Sequence, residues 1–499
     1  MVFKLLSVNL VDQHDTGDEV DPAKILRDGI SFAAQPHPDD VTGSITGVIG
    51  KNGTGKSLLL RSIAEAFLRL EELARGKSKS LKPYPVSRIE YLYNNHHCVI
   101  QSNASGVRFY VDHANVALEN LPRPSCVVAL TNSPFDKFPL EKSQTIKRPS
   151  SEQSSYHYLG LRDRSGRASI ENLMYRSLNA LFEQGEEGWM RYEIIQEIFA
   201  FLGLEPRLAV VYTAKISARV EQAVAENKSV LIDGVIHDTR TYHRTVETAD
   251  SHDLADGELN ELLALALEYR DMRKIRSETR FETGARFDSD FRKLQILRRA
   301  GFLQLSAIEI FRGHGPRDLK NSSSGELSLV GSLIALASVI ENDALVLIDE
   351  PELSLHPEWQ MDYISLILRA FAMYRGCHFV IATHSPLVIS ELPSRATVVG
   401  LDRRDLPSTG EVAGESSDLL LAEMFGLPTA NNLYVKECIL QVLQMAADGL
   451  ADTDKFWTEL HHIEKLGAEM AEEDPARVII QSLRVVGDLS RKKHNDASC

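Results

Sequence analysis

The 499-residue sequence holds no stretch of eighteen uninterrupted apolar residues, so no segment reads as a membrane span. Its five cysteines, Cys98, Cys126, Cys377, Cys438 and Cys499, are scattered and never form a C-x-x-C pair. That argues against a zinc module and fits a reducing, cytoplasmic setting. His96-His97-Cys98 has metal-binding chemistry, but adjacent residues of an alternating strand point to opposite faces. An excess of positive charge is also missing. The formal net charge of −15 opposes non-specific DNA binding by the whole molecule and confines any nucleic-acid surface to a local patch. The opening residues, Met1 to Asp12, have a short apolar run that alternates with polar residues and lacks a cleavage-type end, so they read as a strand and not a signal peptide. No internal repeat is visible.

What is present is typical of a globular protein: 43% apolar and 25% charged residues, in a length that allows a large core and more than one structural unit. The most informative stretch is Ala344-Leu-Val-Leu-Ile-Asp-Glu-Pro-Glu-Leu-Ser-Leu-His-Pro357. Five apolar residues ending in Asp349-Glu350 predict a fully buried parallel strand with two carboxylates at its tip. Ligands of open α/β folds bind at that carboxyl edge, where an Asp can hold Mg²⁺ and a Glu can reach an attacking water. A buried strand that merely ends in two acids is the bland alternative.

The rest of the chain decides between them. Ser44 to Ile49 predicts a short buried strand, followed by Gly50-Lys51-Asn52-Gly53-Thr54-Gly55-Lys56-Ser57. Leu58 to Ala74 then predicts an amphipathic helix with Leu59, Ile63, Ala66, Phe67 and Leu70 on one stripe. Strand, Gly-rich turn and helix is the context that a G-x-x-x-x-G-K-[ST] phosphate loop requires. Its glycines let backbone N–H groups curl around phosphate oxygens at a helix N-terminus, with Lys56 on the β/γ-phosphates and Ser57 on Mg²⁺.

Residues 88–112 alternate as a small antiparallel meander with turns at Asn94-Asn95 and Asn103 to Gly106. Cys126 to Leu130 predicts a buried strand that runs into the polar loop Thr131-Asn-Ser-Pro-Phe-Asp-Lys-Phe138. Between about 140 and 300 helical patterns dominate, around 169–203 and from Gly257 to Arg299. Over 270–299, ten Lys and Arg face five Asp and Glu, which suits a solvated helix face, a nucleic-acid contact or a partner-protein surface. Leu303 to Phe311 predicts a strand, Asn321 to Ile340 a polar turn and a helix, and His378 to Pro386 a strand tipped by Thr383-His384-Ser385. Residues 411–490 read as mostly helical.

Four elements thus stand in order: the phosphate loop at 50–57, Ser322-Ser323-Ser324-Gly325-Glu326, the Asp349-Glu350 strand, and His384. In that order the chain resembles ABC-type ATPases of the SMC/RecF/OLD group. The separation of 273 residues from Gly50 to Ser323 is too long for a transporter's nucleotide domain and too short for the long coiled coil of a true SMC. Leu347 to Gln360, Thr131 to Phe138 and Tyr158-Leu-Gly-Leu-Arg162 look like the ATPase subunits of bacterial anti-phage systems, Septu PtuA-like ATPases including retron-associated ones, with AriA-type ATPases near relatives.

The resemblance implies an α/β P-loop NTPase, an ABC ATPase head with a helical insertion and a helical C-terminal extension. It implies ATP and Mg²⁺ as ligands, and a homodimer with composite sites. Gly50, Lys51, Asn52, Gly53, Thr54, Gly55, Lys56 and Ser57 would hold the phosphates, with Ser57 and Asp349 serving Mg²⁺. Glu350 would be the general base, and His384 would contact the γ-phosphate. Ser323, Gly325 and Glu326 would come from the other subunit's signature, and Leu353 to His356 would form the D-loop. The loop at Thr131 to Ser133 takes the place of the Q-loop without the usual Gln, which leaves Asn132 as a metal or water contact. No aromatic platform for adenine stands out beyond Phe32. The expected units are residues 1–140, an N-terminal ATPase lobe with a small β-subdomain; 141–300, a mainly helical insertion; 301–410, a C-terminal ATPase lobe; and 411–499, a helical extension.

OLD proteins add a TOPRIM nuclease. Asp452-Thr-Asp454 has the spelling of one of its motifs, but the residues before it are not a buried strand. The expectation is therefore no nuclease in this chain and a separate partner, an HNH nuclease of the PtuB type. Two functions compete: a defence ATPase regulating that partner, and a RecF-like repair ATPase clamping DNA directly.

Overall fold

A computed structural model of the chain describes residues 2–10, 29–32, 43–76, 84–103, 106–140, 154–162, 173, 174, 177, 178, 181, 189–215, 267–269, 272–281, 293, 294, 297, 298, 302–313, 315–402, 406, 414–429, 432–471 and 473–497. In chain order the first elements are β1 (Phe3–Leu10), β2 (Ile30–Ser31), β3 (Ser44–Ile49) and α1 (Lys56–Ala74). The strands β4 (Val86–Tyr93), β5 (His96–Asn103), β6 (Gly106–Val111), β7 (Ala114–Val116), β8 (Val127–Thr131) and β9 (Tyr156–Leu159) follow. Next come α2 (Trp189–Phe201), β10 (Arg207–Ala214), β11 (Ile275–Arg280), β12 (Leu303–Arg312), β13 (Gly315–Asp318) and α3 (Ser324–Val339). The chain continues through β14 (Leu345–Asp349), α4 (Pro357–Ala370), β15 (His378–Ala382), α5 (Pro386–Ser390) and β16 (Thr397–Gly400). It ends in α6 (Ser417–Glu423), α7 (Leu433–Ala447), α8 (Asp454–Ala468) and α9 (Pro475–Ala497).

The central sheet is wholly parallel, in the order β16-β3-β15-β14-β8-β9. Its inner strands β3, β15, β14 and β8 are mostly apolar because both faces of the sheet are covered. On β14, Leu345 and Leu347 face a core shared with α1 and the antiparallel sheet β2-β1-β4-β5-β6-β7. Val346 and Ile348 face the other core, built with α2, α3, α4 and the sheet β11-β10-β12-β13. Leu59, Ile63, Ala66, Phe67 and Leu70 of α1 are all buried, as their spacing predicts. Pairing β14 with both neighbours puts Asp349 opposite Thr131 of β8 and Ala382 of β15.

A buried histidine fastens the first two sheets. His378 Nδ1 accepts the Leu5 N–H at 2.9 Å, which leaves the ring proton on Nε2 to be donated to Thr46 Oγ1 at 2.9 Å. The Thr46 hydroxyl in turn donates to the Phe32 carbonyl. Phe32 is 1% exposed in the core beneath, so it is no platform for adenine.

Two expectations are corrected. Residues 275–280, expected within a helix, form β11, paired antiparallel with β10. Ile275, Ser277 and Thr279 point inward, which is the period of a strand and not of a helix. Only 267–269, 272–274, 281, 293, 294, 297 and 298 of the remaining expected helix lie among the described residues, and Arg273, Lys274, Arg276, Arg280, Lys293 and Arg298 are the described ones of the ten basic residues of 270–299. Arg276 is already paired with Glu309 at 2.8 Å and Glu278 at 3.0 Å. The expected boundary at residue 140 is also crossed, because β9 joins the central sheet, and β10 and β11 put sheet into a segment expected to be mainly helical.

Helix α6 packs on the ATPase body through Leu420, and helices α7, α8 and α9 enclose their own core around Val442, Phe456, Trp457, Leu460 and Leu483. Thr453 caps α8, its hydroxyl accepting the Phe456 N–H at 3.2 Å. Asp452-Thr-Asp454 is therefore a helix start, not a strand-borne metal motif. Among the described residues no cluster of three His, Cys, Asp or Glu side chains suits a metal ion, His96-His97-Cys98 included.

Candidate active site

β3 ends at Ile49 and the chain turns through Gly50, Gly53 and Gly55, whose φ angles of 155°, 82° and 96° favour glycine. A Cβ at Gly50 would stand 2.6 Å from Thr54 Oγ1. Lys51, Asn52 and Gly53 form the exposed crown of the loop. Lys56 is 5% exposed, and its Nζ donates to the carbonyls of Gly50 at 2.8 Å and Lys51 at 3.3 Å. Burial lowers the Lys56 pKa, while the carboxylates of Glu350 and Asp349 pull it back up.

The tip of β14 lies beside this loop. Ser57 Oγ donates to Asp349 Oδ1 at 3.2 Å. Asp349 is 4% exposed, and burial pushes its carboxyl up to about 7 against the Ser57 hydrogen bond. Glu350 takes a left-handed φ of 50°, strained for a side chain with a Cβ, and is held there by its N–H to the Ala382 carbonyl. The turn aims its carboxylate at His384, with Oε1 3.8 Å from Nε2. His384 Nδ1 lies 3.3 Å from Lys56 Nζ. Burial first, and the Lys56 charge second, lower the His384 pKa, which favours the neutral imidazole.

Asn132 follows Thr131 at the end of β8, and its Oδ1 is buried without a hydrogen-bond partner. With Asp349 and the Ser57 hydroxyl it offers the hard oxygen donors that Mg²⁺ prefers, so the residues fit that ion.

The Ser323 to Glu326 segment is placed differently. Ser323 caps α3, its Oγ accepting the Glu326 N–H at 3.2 Å. Gly325 packs so closely on the turn after β14 that a Cβ would stand 2.4 Å from the Ser354 carbonyl oxygen. The Glu326 carboxylate points inward and accepts from Arg312 Nη2 at 2.8 Å. α1 and α3 cover opposite faces of the central sheet, so this segment and the phosphate loop of one chain are not brought together by packing.

Some residues at the site escaped the sequence reading. Asp402, just beyond β16, accepts the Lys51 N–H at 3.3 Å. Thr397-Val-Val-Gly-Leu-Asp402 repeats the pattern of an apolar strand followed by an acid, a signal that was available. Glu469, beyond α8, pairs with Lys51 at 3.6 Å. Asp136 accepts from Arg162 Nε at 2.9 Å and Nη2 at 2.7 Å, from the Tyr158 hydroxyl and from the Phe138 N–H. It thereby fastens the polar loop after β8 to the segment after β9.

A phosphate loop and a carboxylate pair at the carboxyl edge of a parallel sheet, with a His-tipped strand between them, define a P-loop NTPase, and the chain is an ATPase. It belongs to the AAA_21 family, described as "AAA domain, putative AbiEii toxin, Type IV TA system", whose model matches residues 134–390. Protein ea59 of Escherichia phage lambda is 28% identical over 134 residues, 25% of each chain. The "Retron Vc95 probable ATPase" of Vibrio cholerae serotype O1 biovar El Tor is 38% identical over 85 residues, 15% of this chain and 16% of its own. The chain thus matches a quarter or less of the length of these curated relatives. Among solved structures it is similar to the SMC head domain from Thermotoga maritima, at 13% identity and a TM-score of 0.31, covering 80% of this chain and 94% of that one. No described helix is long and apolar enough to cross a membrane.

Proposed function

We propose that this ATPase hydrolyses ATP at a site shared between two copies and serves as the regulatory subunit of a bacterial anti-phage defence complex whose nuclease is a separate chain. The observation that carries the site is the convergence of Ser57 on Asp349, and of Lys56 and Glu350 on His384. Gly50 to Ser57 hold the phosphates, and Lys56 meets their charge. Ser57 and Asp349 hold Mg²⁺, with Asn132 contributing a further oxygen; the ion, when bound, neutralises phosphate charge. Glu350 takes the proton from the attacking water, and His384 orients that water and contacts the γ-phosphate.

Ser323 and Gly325 serve the partner's ATP. Supporting this is the capped, exposed Ser323 on a helix that covers the opposite face of the sheet from its own phosphate loop. Glu326 acts through Arg312 to hold the start of that helix, not on ATP itself. ATP then joins the two copies and hydrolysis releases them.

Support for the defence role comes from the motif resemblance to Septu-type ATPases and from the retron ATPase among the relatives. The C-terminal helices α7, α8 and α9 suit the docking of an HNH nuclease of the PtuB type. Copurification tests this: the chain, expressed with the nuclease of a neighbouring gene, should retain it through size exclusion. Tight DNA binding and DNA-stimulated hydrolysis by the chain alone, through the basic residues of 270–299, would favour the repair reading instead.

A further inference from the structure

We infer that Glu352 is a positioning residue whose carboxylate holds the tip of β15 and so places His384 between Lys56 and Glu350. The inference rests on the reading of His384 as part of the ATPase site. β14 and β15 stay paired only as far as Asp349 and Ala382. Beyond that point the two chains part, and the Thr383 N–H turns to the Val48 carbonyl of β3 at 3.1 Å. The His384 N–H, one residue further on, has left the sheet.

Glu352 takes it up. Oε1 accepts the His384 N–H at 2.6 Å, and Oε2 accepts the Thr383 hydroxyl at 2.8 Å. Thr383 Oγ1 also accepts the Ser385 N–H at 2.9 Å. One carboxylate therefore fixes the backbone on both sides of the His384 Cα. Burial raises the Glu352 pKa, and the bonds from the His384 N–H and the Thr383 hydroxyl oppose that rise. In the ionised form each is about twice as strong as a neutral bond, so the pair outweighs the single backbone hydrogen bond that it replaces. From the fixed backbone the imidazole reaches 3.3 Å from Lys56 Nζ and 3.8 Å from Glu350 Oε1. The Asp-Glu-Pro-Glu order is thus a division of labour: Asp349 lies on the strand, Glu350 is turned out by its left-handed φ, and Glu352 reaches across to the neighbouring strand. The side-chain hydrogen bonds of Glu352 go to the tip of β15 and to no group expected to react, so Glu352 positions His384; its charge is also felt by Lys56 and Asp349.

A double-mutant cycle in the full-length chain tests this, with kcat, KM and the thermal midpoint measured for Glu352→Ala, Glu352→Gln, His384→Ala and the Glu352→Ala/His384→Ala pair. Displacing a catalytic group by about 1 Å costs ~10²-fold, so Glu352→Ala should lower kcat by roughly that factor while KM changes little. Glu352→Gln keeps an acceptor for the His384 N–H and should recover most of the loss. In the His384→Ala background, Glu352→Ala should cost less than about twofold more, because the two substitutions remove one function. Should Glu352→Ala fail to fold, Thr383→Val removes one donor of the same bridge and should show the same non-additivity with His384→Ala. Multiplying losses, or a kcat near the parent's in Glu352→Ala, would overturn the inference while leaving His384 in place. An unaffected kcat in His384→Ala would remove the reading of His384 beneath it.

Discussion

Ser57 and Asp349 are 292 residues apart in the chain, and the Ser57 hydroxyl donates to the Asp349 carboxylate across 3.2 Å. The bond joins the first turn of α1 to the tip of β14, the two elements that carry the phosphate loop and the carboxylate pair. Lys56 lies one residue away, buried, its ammonium satisfied by carbonyls of its own loop.

Lys56→Ala should therefore weaken ATP binding strongly. Loss of a charge-assisted contact worth about 3 kcal/mol weakens affinity by about two orders of magnitude. Calorimetric titration with Mg-ATP checks it, and the thermal midpoint without nucleotide should shift little.

Glu350→Gln should separate binding from turnover. The amide cannot take a proton from water, so hydrolysis falls by about 10²- to 10⁴-fold while ATP still binds. Size exclusion in Mg-ATP should then show an accumulated dimer; rapid turnover by this variant would remove Glu350 as the base.

Most of this site was legible in the sequence because its parts are local. The phosphate loop, the Asp349-Glu350 tip and the serine cap of α3 each lie within a few consecutive residues whose types dictate their geometry. β10 and β11 were missed or misread. The strand pattern Ile275-Arg-Ser-Glu-Thr-Arg280 is short and sits in a charged segment, and only pairing with Leu208, Val210 and Tyr212 shows which side chains turn inward. The Asp136–Arg162, Arg312–Glu326 and Lys51–Glu469 pairs join distant segments, and no local rule names such partners.

Gly325→Ala should disturb the packing of the start of α3 on the turn around Ser354, the proposed signature and D-loop. The added Cβ would meet the Ser354 carbonyl at 2.4 Å and the Trp359 ring at 3.3 Å, so the backbone must shift. Overpacking of this kind costs about 1–3 kcal/mol. Turnover should fall while ATP affinity, set on the opposite face of the sheet, changes little.

Arg162→Ala should destabilise the fold near β8. It leaves the Asp136 carboxylate, whose side chain has no exposure, without its cation. Removing one partner of a buried pair costs about 3–5 kcal/mol, and the 23% exposure of Arg162 places this case toward the lower end. A lower thermal midpoint, with slower hydrolysis as Asn132 loses its support, is the expected result.

The joint between α6 and the C-terminal helices should weaken at alkaline pH. His462 of α8 lies 3.0 Å from Glu423 of α6 and 3.0 Å from the Tyr434 hydroxyl of α7. Its hydrogen bond with Cys438, and then that with Glu423, raise its pKa from 6.5 to about 10. Because the folded value is the higher one, the stabilisation is full below pH 6.5 and lost as pH rises through about 10. The thermal midpoint should decline between these limits, and His462→Gln should flatten the decline.

The most direct test of the central claim, one ATP site shared by two copies, mixes two inactive variants. Lys56→Ala lacks a working phosphate loop, and Ser323→Arg lacks a working signature. In a one-to-one mixture half the dimers pair the two variants, and each of these holds one intact site of two. Hydrolysis should return to roughly a quarter of the parent rate. A mixture as inactive as its parts, or a Ser323→Arg chain that hydrolyses ATP normally alone, would contradict it.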